Sequence, residues 1–218
     1  MEFLEKVKKS QIFENISEKD IRALNFCFKT RVLKINKGET ILNEGDPLES
    51  IILVLSGHLR SVMNDYFGNT SIIADHYTGF AIGVEEAFSG LTNFQASLIA
   101  IEDSELLLMN KYRVIKPCEN MCPRHITLQN NLVKLISQKN INLLEKFHHI
   151  TKHTTRDKVL SYLQSIKKKV GSSYFDIPFN RQELADYLSV ERSALSNELS
   201  KMQNDGLIEF NKNHFHLK

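Results

Sequence analysis

A chain of 218 residues, 42% hydrophobic and 25% charged, has the make-up of an ordinary folded protein with room for one large domain or two modest ones. That composition excludes a disordered or collagen-like chain, and no apolar run approaches the roughly 18 residues of a membrane span. The formal charge of +2 is unevenly spread: residues 1–150 hold 17 basic and 18 acidic groups and residues 151–218 hold 11 and 8, so the positive excess belongs to the C-terminal third.

The opening residues, Met1-Glu2-Phe3-Leu4-Glu5-Lys6, lack the apolar centre of a signal peptide, so a cytoplasmic protein without membrane association is expected. Three cysteines, Cys27, Cys118 and Cys122, cannot all pair within one chain, and a reducing compartment keeps thiols apart. A disulfide framework is not expected.

In chain order, a helix comes first, started by Ser17-x-x-Asp20 and carrying Ile16, Ile21 and Leu24. Seven of the nine glycines then fall between Gly38 and Gly90, punctuating short β-rich segments at Thr30 to Ile35, Thr40 to Leu42, Ser50 to Leu55, His58 to Met63, Thr70 to His76 and Gln95 to Ile101. Strands this short and this regularly spaced indicate a sandwich, barrel or jelly roll instead of a βαβ sheet.

From Pro123 to Ile150 the pattern turns helical, with no glycine and no second proline. Ile126, Gln129, Val133, Ile136, Asn140, Leu143, Phe147 and Ile150 follow steps of three and four, the spacing of a coiled-coil seam. Leu128, Leu132, Leu135 and Leu144 make a second apolar face. A helix with two such faces packs one on the β domain and the other on a second copy, and Asn140 on the seam can set the register of two identical helices. The plainer alternative is a core helix of a single domain.

Beyond residue 150 a further helix runs to Lys167-Lys168-Lys169, followed by a turn at Gly171-Ser172-Ser173 and a short strand from Tyr174 to Ile177. Asn180 then caps a helix, with Glu183 three residues on to complete a capping box. This helix ends at Leu188, Ser189-Val190 turns, and a second helix runs from about Glu191 to Asn204. Its Leu195, Leu199 and Met202 face inward. Arg192, Ser193, Ser196 and Asn197 face outward, a set suited to base edges in a major groove: Arg192 for guanine, Asn197 for adenine, and serines that permit close approach. Asn180, Arg181 and Gln182 at the start of the first helix, with Lys201 on the second, are expected at phosphates. Residues 206–217 then fold into a hairpin, turning at Asn211-Lys212-Asn213.

The run from Phe179 to Ser196, FNRQELADYLSVERSALS, resembles the helix-turn-helix of CRP/FNR regulators. Upstream, Lys37-Gly38-Glu39, Glu44-Gly45-Asp46 and Val54-Leu55-Ser56-Gly57 resemble the turns of that family's cyclic-nucleotide-binding-like roll. The resemblance spans about residues 10–218 in the family's order. It implies an α+β chain: an N-terminal β jelly roll over 1–120 as sensor, a dimerisation helix and hinge over 121–150, and a C-terminal winged helix-turn-helix over 151–218. It also implies a homodimer on double-stranded DNA that recruits or blocks RNA polymerase. Two positions depart from the family pattern: Ser189 stands where glycine is frequent, and Asn197 where many members carry a second arginine.

In members that bind cyclic nucleotides, a Gly-Glu pair holds the ribose and an Arg-Ser pair neutralises the phosphate. The matching stretch here runs through Ile82, Gly83, Val84 and Glu85 to Phe94 and Gln95, with Val84 at the glutamate position, Phe94 at the arginine and Gln95 at the serine. A buried anion there would lack its counter-charge, so cyclic AMP is not the expected effector. Thiol chemistry is the other sensing device in view. Cys118, Cys122 and His125 flank the start of the long helix, and Cys27 could join them as four ligands for an iron-sulfur cluster or zinc. In the plainer reading Cys27 is a core residue and the others are an exposed junction. FNR-like members use more cysteines, differently arranged. Neither nucleophile-base pairing nor a phosphate loop appears, so no enzymatic activity is expected.

Overall fold

The structure, a computed structural model, describes residues 2–67, 70–116 and 122–218. The chain divides into two compact units, Met1–Ser137 and Gln138–Lys218, each with its own hydrophobic core. The division falls inside the long helix and not at either of its ends.

The first unit opens with α1 (Glu2–Lys8), a 3-10 turn at Gln11–Phe13, and α2 (Glu18–Cys27), whose cap Ser17 accepts a bond from the Asp20 amide at 3.2 Å. The strands follow: β1 (Arg31–Ile35), β2 (Thr40–Leu42), β3 (Ser50–Ser56), β4 (His58–Asn64), β5 (Thr70–Tyr77) and β6 (Ala81–Ile82), then α3 (Val84–Ser89), β7 (Ser97–Ala100), β8 (Ser104–Asn110) and α4 (Lys111–Ile115). They form two antiparallel sheets, in the orders β1-β8-β3-β6 and β2-β7-β4-β5. Two facing sheets with strands crossing between them make the expected jelly roll. Gly57 turns β3 into β4 at φ +94°, and a Cβ there would stand 2.1 Å from Ser104 Oγ, so only glycine fits.

Strand β8 is absent from the sequence-based expectation, although it lies centrally between β1 and β3. Its Leu106, Leu107, Leu108 and Met109 are all buried, so the alternation that betrays a half-buried strand is missing. The strand expected from Gln95 to Ile101 shortens to β7, and Gln95 lies in the open before it.

Helix α5 spans Pro123–Ile150 as expected. Leu128 and Leu132 are wholly buried in the core of the roll, and Leu135 and Ile136 pack against it. Asn131 reinforces the attachment by donating to the carbonyls of Ile12 and Glu14, at 3.0 and 2.8 Å. Three assignments shift. Ile136, read as a seam residue, packs instead against the core of the roll. Gln129, read as a seam residue, donates instead to the carbonyls of Val114 and Ile115, at 2.9 and 2.8 Å, because its amide lies over the C-terminal end of α4. Leu144, read as part of the roll-facing stripe, is exposed.

The second unit contains α6 (Thr155–Val170), β9 (Tyr174–Asp176), α7 (Arg181–Leu188), α8 (Arg192–Asn204), β10 (Ile208–Asn211) and β11 (His214–Leu217). The strands pair antiparallel in the order β10-β11-β9, over a core built from Val159, Leu163, Phe175, Leu184, Leu195 and Leu199 among others. Among the described residues no helix is long and apolar enough to cross a membrane.

Candidate nucleic-acid interface

Helix α7 starts with the full capping box: Asn180 Oδ1 accepts from the Glu183 amide at 3.0 Å, and the Asn180 amide donates to Glu183 Oε2 at 2.7 Å. It stops at Ser189, which takes left-handed φ +52°, ψ +58° and lets Val190 N–H reach the carbonyl of Ala185. That backbone shape is the physical reason a glycine suits this turn. Helix α8 restarts two residues later. Leu195, Leu199 and Met202 are completely buried beneath it. Arg192, Ser193, Ser196, Asn197 and Lys201 are all exposed, so the sequence-derived outward face is one continuous surface.

Helix α8 is held from behind by residues the sequence reading passed over. Arg156, on the first turn of α6, pairs with Glu198 at 2.5 Å and with Asp205, the C-cap of α8, at 2.8 Å. Both carboxylates hold its guanidinium firmly charged. Lys158 donates to the carbonyl of Ser189 at 3.3 Å, fastening the turn itself. An acidic residue at 198 on a helix otherwise read for its outward face was the available signal.

Of the residues expected at phosphates, Gln182 is exposed and donates to Asp186 at 2.9 Å. Arg181 is placed otherwise: its Nη2 donates to the carbonyl of Lys212, and its guanidinium lies over the rings of Phe210 and Phe215. The outer face of the wing carries Tyr174 stacked on His216, at 3.9 Å between ring centres, and His214 paired with Asp176.

His149, beside His148 near the end of α5, is buried although the sequence around it is polar. It is 2% exposed, its Nδ1 lies 2.8 Å from Ser161 Oγ, and Tyr162 and Tyr187 flank its ring. Burial, followed by the neighbouring His148, depresses its pKa, and burial raises those of Tyr162 and Tyr187.

In the roll, Ile82, Val84 and Phe94 are core residues, Gly83 turns at φ +78° against Leu48, and Gln95 donates to the Asn93 carbonyl at 2.9 Å. Glu85 is half-buried on α3. A cavity of about 310 Å³ lies elsewhere in this unit, lined by Arg31, Leu33, Leu42, Leu48 and Ile52 among others and by none of those six residues.

Cys118 lies outside the described residues. Cys27 packs half-buried against the core and Cys122 precedes α5, with Arg124 Nη2 at 3.8 Å from its sulfur. His125 is buried edge-on to Phe28 with Nε2 2.9 Å from the Val114 carbonyl. Among the described residues no three His, Cys, Asp or Glu side chains gather into a metal-holding group, so the donor set expected from Cys27, Cys122 and His125 is not assembled there.

A β-roll and a helix-turn-helix with its wing, carried on one chain, define a DNA-binding transcription regulator. Residues 32–120 match the cyclic nucleotide-binding domain, and residues 157–218 match the Crp-like helix-turn-helix domain. The chain belongs to the CRP/FNR family. It is 24% identical over 182 residues to electron transport regulator A of Shewanella oneidensis, covering 80% of this chain and 70% of that protein. It is 21% identical over 198 residues to transcriptional regulatory protein btr of Bordetella pertussis, covering 88% and 79%. The fold is similar to that of the c-di-GMP responsive global regulator CLP of Xanthomonas campestris, with a TM-score of 0.56 at 16% identity over 92% of this chain and 99% of that one.

Proposed function

We propose that this regulator binds a pseudo-palindromic operator as a homodimer, each α8 entering one of two successive major grooves about 34 Å apart. The observation that carries the reading is the surface of α8: five polar side chains exposed on one side, three apolar ones fully buried on the other. Arg192 reads guanine and Asn197 adenine, each through paired bonds, while Ser193 and Ser196 keep the helix close to the bases. Lys201, Gln182 and the amides opening α7 meet phosphates. The seam of α5 supports the dimer, since Ile126, Val133, Leu143 and Phe147 are exposed apolar side chains at coiled-coil spacing and exposed Asn140 sits among them. Engagement of RNA polymerase follows from the family. The effector is not cyclic AMP: apolar Val84 and Phe94 occupy the positions of its ribose and phosphate partners and are spent in the core.

DNA recovered from a random pool by the full chain, then titrated at two salt concentrations, tests this reading. Salt-sensitive binding to one two-fold motif is expected, with Arg192→Ala relaxing one base pair per half-site by about 1–3 kcal/mol. A protein that selects no motif whether oxidised, reduced or metal-loaded, or that stays a single chain at micromolar concentration, overturns it.

A further inference from the structure

Arg181 opens α7, where a cation beside free helix amides reads from sequence as a phosphate contact. Its surroundings assign it other work. Nη2 donates to the Lys212 carbonyl at 2.9 Å, and the guanidinium carbon lies 4.8 Å from the Phe210 ring centre and 5.4 Å from that of Phe215. Nη1 is shut away from solvent with no hydrogen-bond partner among the described residues, and burial draws the pKa below that of an ordinary arginine. With Nη1 turned inward, Nη2 on the carbonyl and its flat face on two rings, the guanidinium is held against the wing.

The carbonyl it holds belongs to the left-handed residue of the wing's turn: Lys212 has φ +52° and joins β10 to β11. The next residue, Asn213, accepts the amide of Ile177 at 3.0 Å, so the same turn is tied to the end of β9. We propose that Arg181 is a positioning residue for the wing, fixing the hairpin turn against the start of α7 and neutralising no phosphate itself. The inference rests on the DNA-binding reading for its consequence but not for its geometry. A planar fork can lie flat on an aromatic face and still donate in its own plane; a lysine ammonium cannot do both.

Arg181→Lys, Arg181→Met and Phe210→Leu distinguish the two roles. If Arg181 holds the turn, all three variants lose hydrogen-exchange protection at the Ile177 amide, a readout that needs no DNA. Both Arg181 variants then weaken operator binding about tenfold or more, in keeping with loss of a charged hydrogen bond, and the slope of log affinity against log salt stays that of the parent. Phe210→Leu, which leaves the charge in place, weakens binding in the same direction. If Arg181 is instead a phosphate ligand, Arg181→Lys binds like the parent, Arg181→Met flattens the slope by about 0.9, and Ile177 stays protected; any of these results overturns the inference. A parent protein that selects no operator defeats the functional reading alone, and the exchange experiment still decides the role of Arg181.

Discussion

Arg156 and Glu198 stand 2.5 Å apart, joining the first turn of α6 to the middle of α8, and the Glu198 side chain keeps only 18% of its exposure. Arg156→Met leaves that carboxylate partly buried without its partner. A loss of stability is expected, since the carboxylate keeps its partial burial and loses its counter-charge. The urea midpoint measures it, and Arg156→Met combined with Glu198→Met should recover part of the loss. If Arg156 only decorates the surface, the single variant unfolds with the parent.

The sign of the His149 effect follows from where its proton is held. The folded state disfavours the charged ring, chiefly through burial and then through His148, with Lys169 and Lys152 adding to this and Glu145 opposing. As pH falls through the ordinary value of 6.5 the unfolded chain takes up the proton first, so stability is full above that pH and declines below it until the lowered folded pKa is reached. Unfolding midpoints from pH 8 to 5 should show the decline in the parent and a flatter profile in His149→Phe. Identical profiles would exclude His149 as its source.

The two faces of α5 separate by mutation. Leu132→Ala empties a fully buried site and is expected to cost about 2–5 kcal/mol in thermal or denaturant unfolding of the first unit. Val133→Glu, one residue on, alters a side chain that is 50% exposed and should leave that unit's stability nearly unchanged. Its effect belongs in sedimentation, where the variant should run as a single chain; a Val133→Glu protein that still associates places the dimer contact elsewhere.

Ser189 keeps a left-handed backbone at the turn between α7 and α8. Ser189→Gly should stabilise the second unit by about 0.5–1 kcal/mol, because glycine adopts φ +52° without its steric cost. A higher urea midpoint with an unchanged slope is the expected record.

The helix-turn-helix was fully legible in the sequence because each of its parts has a local signature: Asn180 with Glu183 for the start, the spacing of Leu195, Leu199 and Met202 for the buried side, and Ser189-Val190 for the turn. Strand β8 was not, since a strand covered on both faces loses its alternation. Pairings over long sequence separations were invisible for a related reason. Nothing near Arg181 announces Phe210 or Phe215, and nothing near Arg156 announces Asp205; only the fold brings them together. The burial of His149 has no local signature either: histidines and lysines dominate its neighbourhood, and the aromatic rings that bury it come from α6 and α7.

The sheet order β10-β11-β9 puts the last strand of the chain in the middle. Its neighbours come from either side of α7 and α8, so β11 works like a drawstring: the stretch from 177 to 207 is a loop whose two ends are tied by a single late-arriving segment. During synthesis α7 and α8 therefore emerge before the strand that closes their collar. Removing His214 to Lys218 would unfasten β9 and β10 together, stripping both margins from the helix-turn-helix at one stroke.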